Sequence, residues 1–472
     1  MPLRDNLIFQ SDSYKWTHPG MMPPDVRREY YYLESRSGDG HPKTLWFGLQ
    51  YCLKRYLEGA RVAEADIVEA QATDGWHFAQ RQLNVDGWRR IVRTHGGRIP
   101  VLIRAAPEGL AIDRSNALMT IESTDPELPW IAGFIESLLL KVWYPTSVAT
   151  RSWYARLMLE RAVLETSDGD ARFMLHDFGY RGATSEEAAA IGGAAHLLNF
   201  SGTDTLPALR LLQQYYGATT GMAYSVAASQ HSIMTSGGDQ AEHEIARKII
   251  ASHPNQIVSL VADSYDYYAF VDAMIAAHDL VTSNGVRLVI RPDSITPQHR
   301  TPESVVVWTL NRLHEKLGAT MNSKGFRVVP YGVLWGDGID AAGVARIVAA
   351  ATSAGYAVSN LVFGMGGGLL QKDLTRDTYR FATKCSARDV GHGWEGVLKR
   401  PLDESKRSKA GRFSLVRLSD GRYATEHWGS ANDLLEPVFE NGVILKHDTF
   451  DAIRTRAEAA WTAELKNNNR LI

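Results

Sequence analysis

The chain is poor in cysteine, in excess charge and in long apolar runs. Its 472 residues include only two cysteines, Cys52 and Cys385, which argues against a disulfide framework and suits a reducing compartment. The formal net charge is −2, so no general basic field indicates binding to nucleic acid. No run approaches the roughly 20 apolar residues of a membrane helix, and the first residues lack the apolar core of a signal peptide. These absences predict a cytoplasmic protein that binds neither nucleic acid nor membrane.

Length and local composition predict three regions. At about 150 residues per domain, a chain of this length corresponds to two or three domains. Residues 1–165 mix strand and helix patterns, and residues 166–389 repeat strand–helix units. Residues 390–472 are rich in strand and turn signals and close with a helical pattern. Asp-Gly and Asn-Gly pairs at 420–421 and 441–442 predict hairpins in this last region.

The most informative pattern lies between residues 176 and 368. Apolar runs typical of strands buried on both faces each end in polar, charged or glycine residues, and a helical pattern follows. The seven clusters are HDFGYRG (176–182), SGTDT (201–205), SQHS (229–232), ADSYD (262–266), RPDS (291–294), GDGID (336–340) and GMGGG (364–368). Most recur at about 30 residues, the length of one strand–helix unit. Because an α/β barrel carries its chemistry at the C-terminal ends of its strands, the pattern predicts such a barrel and locates its active site.

The last two clusters are predicted to bind phosphate. GMGGGLLQK (364–372) places three adjacent glycines between a strand and a helix. Backbone N–H groups of glycines can approach a phosphate closely, and a helix dipole favours the anion. A phosphate site in a barrel usually follows the last strands. The alternative is a flexible turn. GDGID can add further N–H groups and a carboxylate.

Aspartates end four of the predicted strands, at Asp204, Asp263, Asp293 and Asp337. A carboxylate in that position can bind ribose hydroxyls or Mg²⁺, or stabilise a cationic transition state. The alternative for each aspartate is capping of the following helix. Four caps at four successive chemistry-bearing clusters are the less favoured explanation.

Phe178 and His231 are the predicted aromatic and nucleophilic groups of the site. Phe178, beside Arg181 and other charged residues, suits stacking on a flat heteroaromatic ring, although a lone phenylalanine is more often part of a core. A neutral imidazole is both base and nucleophile near neutral pH. The chain has 15 histidines, so an ordinary surface position is the alternative for His231. Its place in the strand–helix pattern favours catalysis.

These motifs, in this order, resemble those of the nicotinamide phosphoribosyltransferases, which are type II phosphoribosyltransferases. The matching segments are DSYKWTHP, LQYCLKRYL, HDFGYRG, NFSGTDT, DSYD, IRPDS, GDGID, GGGLLQK, KCS and KRSKAGR. The resemblance implies an irregular α/β barrel with an α+β domain built from N- and C-terminal segments. It also implies synthesis of nicotinamide mononucleotide and pyrophosphate from nicotinamide and phosphoribosyl pyrophosphate in NAD salvage. Mg²⁺ and ATP coupling through a phosphohistidine belong to the same implication.

The resemblance further implies residue roles. Phe178 and Tyr14 of the partner subunit would stack on nicotinamide, so that the active sites need a homodimer. Asp204 would accept a hydrogen bond from the carboxamide, and Arg291 would lie near the ring or the product phosphate. The catalytic residues would be His231, which ATP would phosphorylate, Asp263 and Asp293. Ribose and phosphate would be bound by Arg181, Asp293, Gly336, Asp337, Gly366, Gly367 and Arg376. Pyrophosphate or ATP phosphates would face Arg36, Lys384, Lys399 and Lys406.

Asp204 separates the two closest substrates. Nicotinate carries a carboxylate, which an aspartate repels, whereas nicotinamide offers N–H donors, and a mispaired buried polar contact discriminates strongly. The sequence therefore favours nicotinamide.

Two other classes of protein stay open at this point. One is a different phosphate-binding barrel enzyme, such as an isomerase or aldolase, which has no need of Tyr14 or the C-terminal lysines. The other is a noncatalytic protein that has kept the fold. A type I phosphoribosyltransferase fits ADSYD poorly.

Overall fold

The computed structural model describes residues 6–36, 40–402 and 407–467. The chain divides into two compact units. The first unit comprises Met1–Thr150, Gln214–Ala218 and Leu374–Ala460, and the second comprises Arg151–Gln213, Thr219–Asp373 and Trp461–Ile472. The predicted boundaries at residues 165 and 389 therefore differ from those of the units.

The strands of both units include short ones of two or three residues. In chain order they are β1 Arg28–Glu34, β2 Lys43–Leu45, β3 Val101–Ala105, β4 Ala111–Asp113, β5 Ala117–Ser123, β6 Leu175–Asp177, β7 Gly202–Thr203, β8 Ala227–Ala228, β9 Ile257–Val261, β10 Arg287–Arg291, β11 Thr320–Met321, β12 Arg327–Val328, β13 Gly332–Trp335, β14 Leu361–Met365, β15 Ala382–Asp389, β16 Trp394–Gly396, β17 Phe413–Arg417, β18 Tyr423–His427, β19 Glu436–Glu440 and β20 Val443–Ile444.

The α-helices range from one turn to more than six. In chain order they are α1 His18–Met21, α2 Leu49–Cys52, α3 Glu64–His77, α4 Val85–His95, α5 Ile131–Leu139, α6 Trp143–Thr166, α7 Glu186–His196, α8 Leu206–Tyr216, α9 His231–Met234, α10 Glu242–Ser252, α11 Tyr267–Ala276, α12 His278–Ser283, α13 Pro302–Leu317, α14 Ala341–Ser353, α15 Gly367–Leu370 and α16 Phe450–Asn467. A π-helical turn spans Leu53–Leu57, and 3₁₀ turns span Leu7–Phe9, Ser13–Trp16, Leu140–Val142, Tyr180–Gly182, Asp239–Ala241 and Val358–Asn360.

Among the described residues no helix is long and apolar enough to cross a membrane.

A seven-stranded antiparallel sheet forms the core of the first unit. Its order is β16-β15-β1-β5-β3-β19-β20, and every neighbouring pair is antiparallel. The sheet combines strands from both ends of the chain, which confirms the expected α+β domain of N- and C-terminal segments. β15, which ends at residue 389, pairs with β1 in this sheet.

Buried tyrosines connect β1 to the C-terminal hairpin of the first unit. Tyr30 and Tyr32 are almost fully buried, and a buried phenol needs a hydrogen-bond partner. The Tyr30 hydroxyl accepts from the backbone N–H of Phe413 at 3.1 Å, and the Tyr32 hydroxyl accepts from that of Lys409 at 3.0 Å. These two hydrogen bonds therefore connect β1 to the segment that leads into β17.

Asp125 makes a pH-sensitive contact in the first unit. Its carboxylate accepts from Arg90 Nε at 2.8 Å and lies 2.8 Å from His95 Nε2. Burial alone would raise the pKa of Asp125, but the hydrogen bonds of Arg90 and His95 outweigh burial and lower this pKa to about 2. Because the folded value lies below the ordinary value of 3.8, the contact stabilises the fold above about pH 4 and is lost as the pH falls toward about 2.

An Asp125→Asn variant is therefore expected to be less stable at neutral pH. The loss of charge-assisted hydrogen bonds should lower the free energy of unfolding by about 1–3 kcal/mol. Urea unfolding of both proteins near pH 7 and near pH 3 measures the effect, and the difference between them should shrink at the lower pH. An equal difference at both pH values would contradict the assignment.

The second unit is built on a parallel sheet. Its order is β7-β6-β14-β13-β10-β9-β8, and all neighbouring pairs are parallel. A parallel bridge between Gly202 of β7 and Tyr224, shortly before β8, connects the two edges. The sheet thus curls into an irregular barrel, and this confirms the predicted fold class.

The apolar residues at 306, 310, 313 and 317 are spaced as one face of a helix, which predicts that this face of α13 is buried. Val306, Leu310 and Leu313 of α13 are buried, and Thr301 caps this helix by accepting from the N–H of Ser304. The spacing of apolar residues at 241, 245 and 249 predicts their burial as one face of α10. The structure instead buries positions 242, 246 and 250, so that the residue at 242, a glutamate, points inward.

Candidate active site

The C-terminal ends of the parallel strands bring together the predicted site residues of the second unit. Because parallel strands all end at the same rim of a barrel, residues far apart in sequence become neighbours there. At that rim the structure places Phe178 after β6, Asp204 after β7, His231 at the start of α9, Asp263 after β9, Arg291 at the end of β10, Asp293 just beyond it, Gly336 and Asp337 after β13, and Gly366 and Gly367 after β14.

Other aspartates of the same clusters perform the helix capping. Asp266 caps α11 by accepting from the N–H groups of Tyr268 and Ala269, and Asp340 caps α14 by accepting from the N–H of Gly343. Each capping aspartate lies three residues beyond the candidate carboxylate, at Asp263 or Asp337, and the helix begins at the next residue. Capping does not explain these two aspartates.

His231 lies between two of the carboxylates. Its Nε2 is 3.6 Å from Asp263 Oδ1 and 3.5 Å from Asp293 Oδ2. The other oxygen of Asp263 accepts from Ser294 Oγ at 2.6 Å. The imidazole is about half exposed, so a ligand arriving at the strand ends can reach it.

The carboxylates concentrate negative charge at this rim. Burial raises the pKa of Asp337, and the nearby charges of Asp293 and Asp263 raise it further. Arg291 supplies the nearest described guanidinium: its Nε is 3.8 Å from Asp293 Oδ1, and its Nη2 donates to the backbone oxygen of Ser229 at 3.2 Å. The arrangement suits a ligand that brings hydroxyl groups or a cation.

Glycines determine where the ring of Phe178 lies. A Cβ added at Gly364 would meet Phe178 Cε2 at 2.1 Å, and one added at Gly366 would meet the Phe178 carbonyl oxygen at 3.2 Å. Only a strand with glycine at position 364 lets the ring lie against its backbone. Phe178 is partly exposed, as a ring that stacks on a ligand must be, and it is not simply part of a core.

Asp204 lines the same cavity as Phe178, and one of its carboxylate oxygens already accepts a hydrogen bond. Its backbone N–H donates to the carbonyl of Asp177 at 2.9 Å, which fixes the residue at the end of β7. Ser225 Oγ donates to Asp204 Oδ1 at 2.5 Å. A carboxylate keeps capacity for further hydrogen bonds at its second oxygen, and the exposed side chain makes that capacity available to a ligand.

A cavity of about 670 Å³ runs along the barrel. Phe178, Asp204 and Arg291 line it at the C-terminal ends of the strands, while Asp168 and Asp170 line it near their N-terminal ends. Small inward residues leave the space open, among them Ala228, Ser259 and Gly332. A planar ring seated against Phe178 therefore has room, although barrels are commonly filled by side chains. The sequence pattern did not predict this cavity.

The glycine cluster at 364–368 forms a loop that Arg151 supports through hydrogen bonds. The predicted helix after it is only the single turn α15, so anion binding would depend on backbone N–H groups more than on a helix dipole. Arg151 donates to the carbonyls of Gly368 at 2.8 Å and Lys372 at 2.7 Å. A Cβ at Gly182 would lie 3.3 Å from the Gly367 nitrogen, which places the turn carrying Arg181 beside this loop.

The other predicted site residues belong to the first unit. Tyr14 is 54% exposed on a 3₁₀ turn, and the neighbouring Lys15 anchors that turn by an ion pair with Glu136 at 2.7 Å. Burial lowers the pKa of Lys384, and the charges of nearby basic groups contribute to the same shift. These groups are Arg36, Lys399 and Arg376. Lys406 lies outside the described residues.

Sequence reasoning missed the residues that hold the site in place. Ser225, Arg151 and Ser294 position Asp204, the glycine loop and Asp263, respectively. Serines and arginines of this kind carry no periodic signal, because each acts through a contact distant in sequence. Ser294 ends the RPDS cluster and Ser225 stands shortly before the SQHS cluster, but neither position indicated which aspartate the serine contacts.

Comparisons with known proteins point to one group. Residues 173–443 match the model of the nicotinate phosphoribosyltransferase (NAPRTase) family, and residues 6–103 match a model described as nicotinamide phosphoribosyltransferase, N-terminal domain. A nicotinamide phosphoribosyltransferase of Xanthomonas campestris pv. campestris is 41% identical over 97% of this chain and 99% of its own length. One from Mycoplasma pneumoniae is 31% identical over 86% of this chain and 95% of its own length.

Solved structures share the fold. The nicotinate-nucleotide pyrophosphorylase of Pyrococcus furiosus aligns with a TM-score of 0.63 and 16% identity over 99% of this chain and 98% of its own. Human nicotinic acid phosphoribosyltransferase aligns with a TM-score of 0.56 and 16% identity, covering 96% and 93%. At such identity the likeness concerns architecture alone.

Proposed function

The chain belongs to the nicotinamide phosphoribosyltransferases of the nicotinate phosphoribosyltransferase family, and from that premise we propose how its residues carry out the reaction. The enzyme is a pentosyltransferase that forms nicotinamide mononucleotide and pyrophosphate from nicotinamide and phosphoribosyl pyrophosphate in NAD salvage. The family match removes the isomerase or aldolase alternative. The noncatalytic alternative is disfavoured by the assembled site, in which His231, the carboxylates and the glycine loop occur together.

The proposed substrate rests on one observation: Phe178 and Asp204 lie together at the mouth of the cavity. Phe178 offers one face for stacking on the pyridine ring. Asp204 offers a carboxylate oxygen to the N–H groups of the carboxamide, and Ser225 holds that carboxylate in place. Nicotinate would bring a second negative charge to the same position. The pair therefore supports nicotinamide as the substrate.

The phosphoribosyl group would occupy the rim beside this pair. Asp293, Gly336 and Asp337 would hold the ribose, and the 5′-phosphate would sit on Gly366 and Gly367 with Arg181 close by. Arg151 supports the loop by binding its carbonyls. Arg376, predicted for the same phosphate, lies in the first unit with the other basic residues, so its role stays a prediction.

The chemical step is a displacement at the anomeric carbon. The lone pair of the pyridine nitrogen forms the new C–N bond, while the C–O bond to pyrophosphate breaks and its electron pair leaves on the pyrophosphate oxygen. The ribose carries positive charge in between, which nearby carboxylates stabilise. Stacking and the Asp204 contact place the ring nitrogen in line. The ring nitrogen has no proton to lose, so this step needs no general base.

Mg²⁺ fits the carboxylate rim as a cation shared with the substrate. The described residues contain no ready-made group of three or more His, Cys, Asp or Glu side chains set to coordinate a metal. Asp263, Asp293 and Asp337 nevertheless raise the local negative charge, and Mg²⁺ commonly uses one or two carboxylates with waters and substrate phosphates. When bound, it would neutralise charge on the departing pyrophosphate.

ATP would act through His231. The Nε2 lone pair would form a bond to the γ-phosphorus of ATP while the bond to the bridging oxygen breaks and ADP leaves. Water would later attack the phosphorus, and the electron pair of the N–P bond would return to the ring. The half-exposed imidazole at the strand ends, beside two carboxylates, supports this assignment. Arg36, Lys384 and Lys399, with Lys406 outside the described residues, would face pyrophosphate or ATP phosphates.

A homodimer would complete each site with Tyr14 of the partner subunit. The exposure of Tyr14 on an anchored turn supports this proposal. Mixing a Tyr14→Ala variant with an Asp293→Ala variant tests it, because a mixed dimer would contain one site with both native residues. After subunit exchange, about a quarter of wild-type activity is expected from two nearly inactive proteins, given random pairing in a twofold dimer. No recovery despite measured exchange would contradict a shared site.

The direct test of function measures product from nicotinamide and from nicotinate, each with phosphoribosyl pyrophosphate and Mg²⁺, with and without ATP. We expect nicotinamide mononucleotide at a rate that ATP increases, and little product from nicotinate. Preference for nicotinate would refute the Asp204 assignment. An ATP-insensitive rate would refute the coupling through His231 and leave the transfer reaction in place.

A further inference from the structure

The loop between β10 and α13 carries Asp293 and contains no helix or strand of its own. Asp293 forms ion pairs with His231 Nε2 and Arg291 Nε over 3.5 and 3.8 Å. Both distances exceed the length of about 2.9 Å that is usual for a hydrogen bond. Neither ion pair therefore fixes the Asp293 carboxylate, and its position depends on what holds the backbone of the loop.

One hydroxyl of a neighbouring helix contacts this loop at two points. Tyr268 lies in the first turn of α11, and its hydroxyl oxygen is 2.6 Å from Thr296 Oγ1 and 2.7 Å from His299 Nδ1. Thr296 and His299 are half-buried, whereas Ile295, Pro297 and the other residues between positions 294 and 300 are exposed. The two loop residues that turn inward are therefore those that meet Tyr268.

One arrangement of protons satisfies every donor of this cluster. The backbone N–H of His299 donates to Thr296 Oγ1 at 2.9 Å, and the backbone N–H of Thr296 donates to the carbonyl of His299 at 3.0 Å. A hydroxyl has one proton, and a neutral imidazole has one acceptor nitrogen. Thr296 can therefore donate to the oxygen of Tyr268, and Tyr268 can donate to Nδ1 of His299. A single hydroxyl thus ties a closed turn of the loop to α11.

The ring of Tyr268 is itself held in place. Its centroid lies 4.6 Å from that of Trp308 on α13, with an interplanar angle of 84°, and such edge-to-face pairs are favourable. The backbone N–H of Tyr268 donates to Asp266, which caps α11. The hydroxyl therefore has a fixed position, and the loop is placed relative to it.

We propose that Tyr268 is a positioning residue for the phosphoribosyl group, because its hydroxyl holds the loop that carries Asp293. Ser294, next to Asp293, donates to Asp263 Oδ2 at 2.6 Å, so the loop is bound at one end to the end of β9 and further along to α11. Without the Tyr268 contacts, that serine is the remaining side-chain anchor beside Asp293. The inference rests on the proposed function, in which Asp293 holds the ribose.

The effect should be selective for one substrate. Phe178 and Asp204, which would bind nicotinamide, follow β6 and β7. In the parallel sheet β14 and β13 lie between β6 and β10, so a looser loop after β10 leaves the nicotinamide contacts in place. A displaced Asp293 carboxylate weakens only the contact with the ribose of phosphoribosyl pyrophosphate.

A Tyr268→Phe variant tests the proposal by removing one oxygen and keeping the ring against Trp308. Initial rates of nicotinamide mononucleotide formation without ATP, with each substrate varied in turn, give the two KM values. We expect the KM for phosphoribosyl pyrophosphate to rise about tenfold, because small displacements of a positioning group are costly. The KM for nicotinamide should stay within about twofold of the wild-type value.

The preceding residue of α11 provides a matched control. Tyr267 is buried, and its hydroxyl is 2.5 Å from Thr309 Oγ1 on α13. Tyr267→Phe should lower the thermal midpoint at least as much as Tyr268→Phe, because it removes a buried hydrogen bond, yet it should leave both KM values at the wild-type level. Thr296→Val should reproduce the effect of Tyr268→Phe, and Thr296→Ser, which keeps the hydroxyl, should restore the wild-type KM. The threonine pair retains the test should Tyr268→Phe fold poorly.

Two results would overturn the inference. One is a wild-type KM for phosphoribosyl pyrophosphate in both Tyr268→Phe and Thr296→Val. The other is the same rise in Tyr267→Phe, which would trace the effect to stability and not to the position of the loop. A wild-type enzyme that forms no nicotinamide mononucleotide would instead refute the proposed function, and the inference with it.

Discussion

In an Asp204→Asn variant, the preference for nicotinamide over nicotinate is expected to fall by about a thousandfold. Two like charges about 4 Å apart at an effective dielectric constant of about 20 repel by roughly 4 kcal/mol, and about 1.4 kcal/mol corresponds to a factor of ten. Asparagine removes that repulsion against nicotinate and offers an N–H donor to its carboxylate. The carboxamide of nicotinamide loses its charged acceptor at the same time.

The measurement is kcat/KM for each substrate in wild type and variant. Asp168→Asn is the matched control, because Asp168 lines the same cavity near the N-terminal ends of the strands, far along the barrel from Phe178. That variant should keep the wild-type preference. If Asp204→Asn leaves the preference for nicotinamide unchanged, Asp204 does not recognise the carboxamide group. Other residues of the cavity must then determine which substrate binds.

Replacing His231 by alanine should uncouple ATP from synthesis. Loss of the nucleophile is expected to reduce ATP hydrolysis at least about a thousandfold and to abolish stimulation by ATP. The transfer itself uses the lone pair of the pyridine nitrogen, so part of the ATP-independent rate should persist. Rates of ATP hydrolysis and of nicotinamide mononucleotide formation, measured in the same samples, give both quantities.

An exposed histidine provides the control for this variant. His392→Ala removes a side chain that is 76% exposed and belongs to the first unit, so both rates should match the wild type. Loss of synthesis with and without ATP in His231→Ala would assign His231 a direct part in the transfer. ATP hydrolysis at the wild-type rate would show that another group accepts the phosphoryl.

The sequence predicted the barrel and the ring of candidate residues because both follow from a local repeat. Each strand is short and continuously apolar, and each polar cluster follows it directly. The residue at which each strand ends can therefore be located in the sequence without knowing which strands pair. Aspartates were harder to interpret. Nothing in ADSYD or GDGID says which acid caps the helix, and the structure assigns that role to Asp266 and Asp340.

Contacts between distant segments account for what the sequence could not supply. The apolar residues at 241, 245 and 249 suggested the wrong face of α10, because the elements packed against a helix decide which of its faces is buried, and positions 242, 246 and 250 are the buried ones here. The strand at 382–389 was assigned to the barrel because its neighbour in the first unit, β1, lies more than 300 residues earlier. The cavity exists because small side chains from several strands face it together, and this combination becomes visible only once the strands are assembled.

The interleaved sheet of the first unit has a consequence for synthesis of the chain. β1 and β3 emerge from the ribosome early, but their outer partners β15 and β19 come from the last quarter of the sequence. Until those partners arrive, two strands keep open edges that can pair with other chains. Pairings so distant in sequence also close slowly. We therefore expect the first unit to complete its folding only at the end of translation, and C-terminal truncation to damage the N-terminal half of the protein.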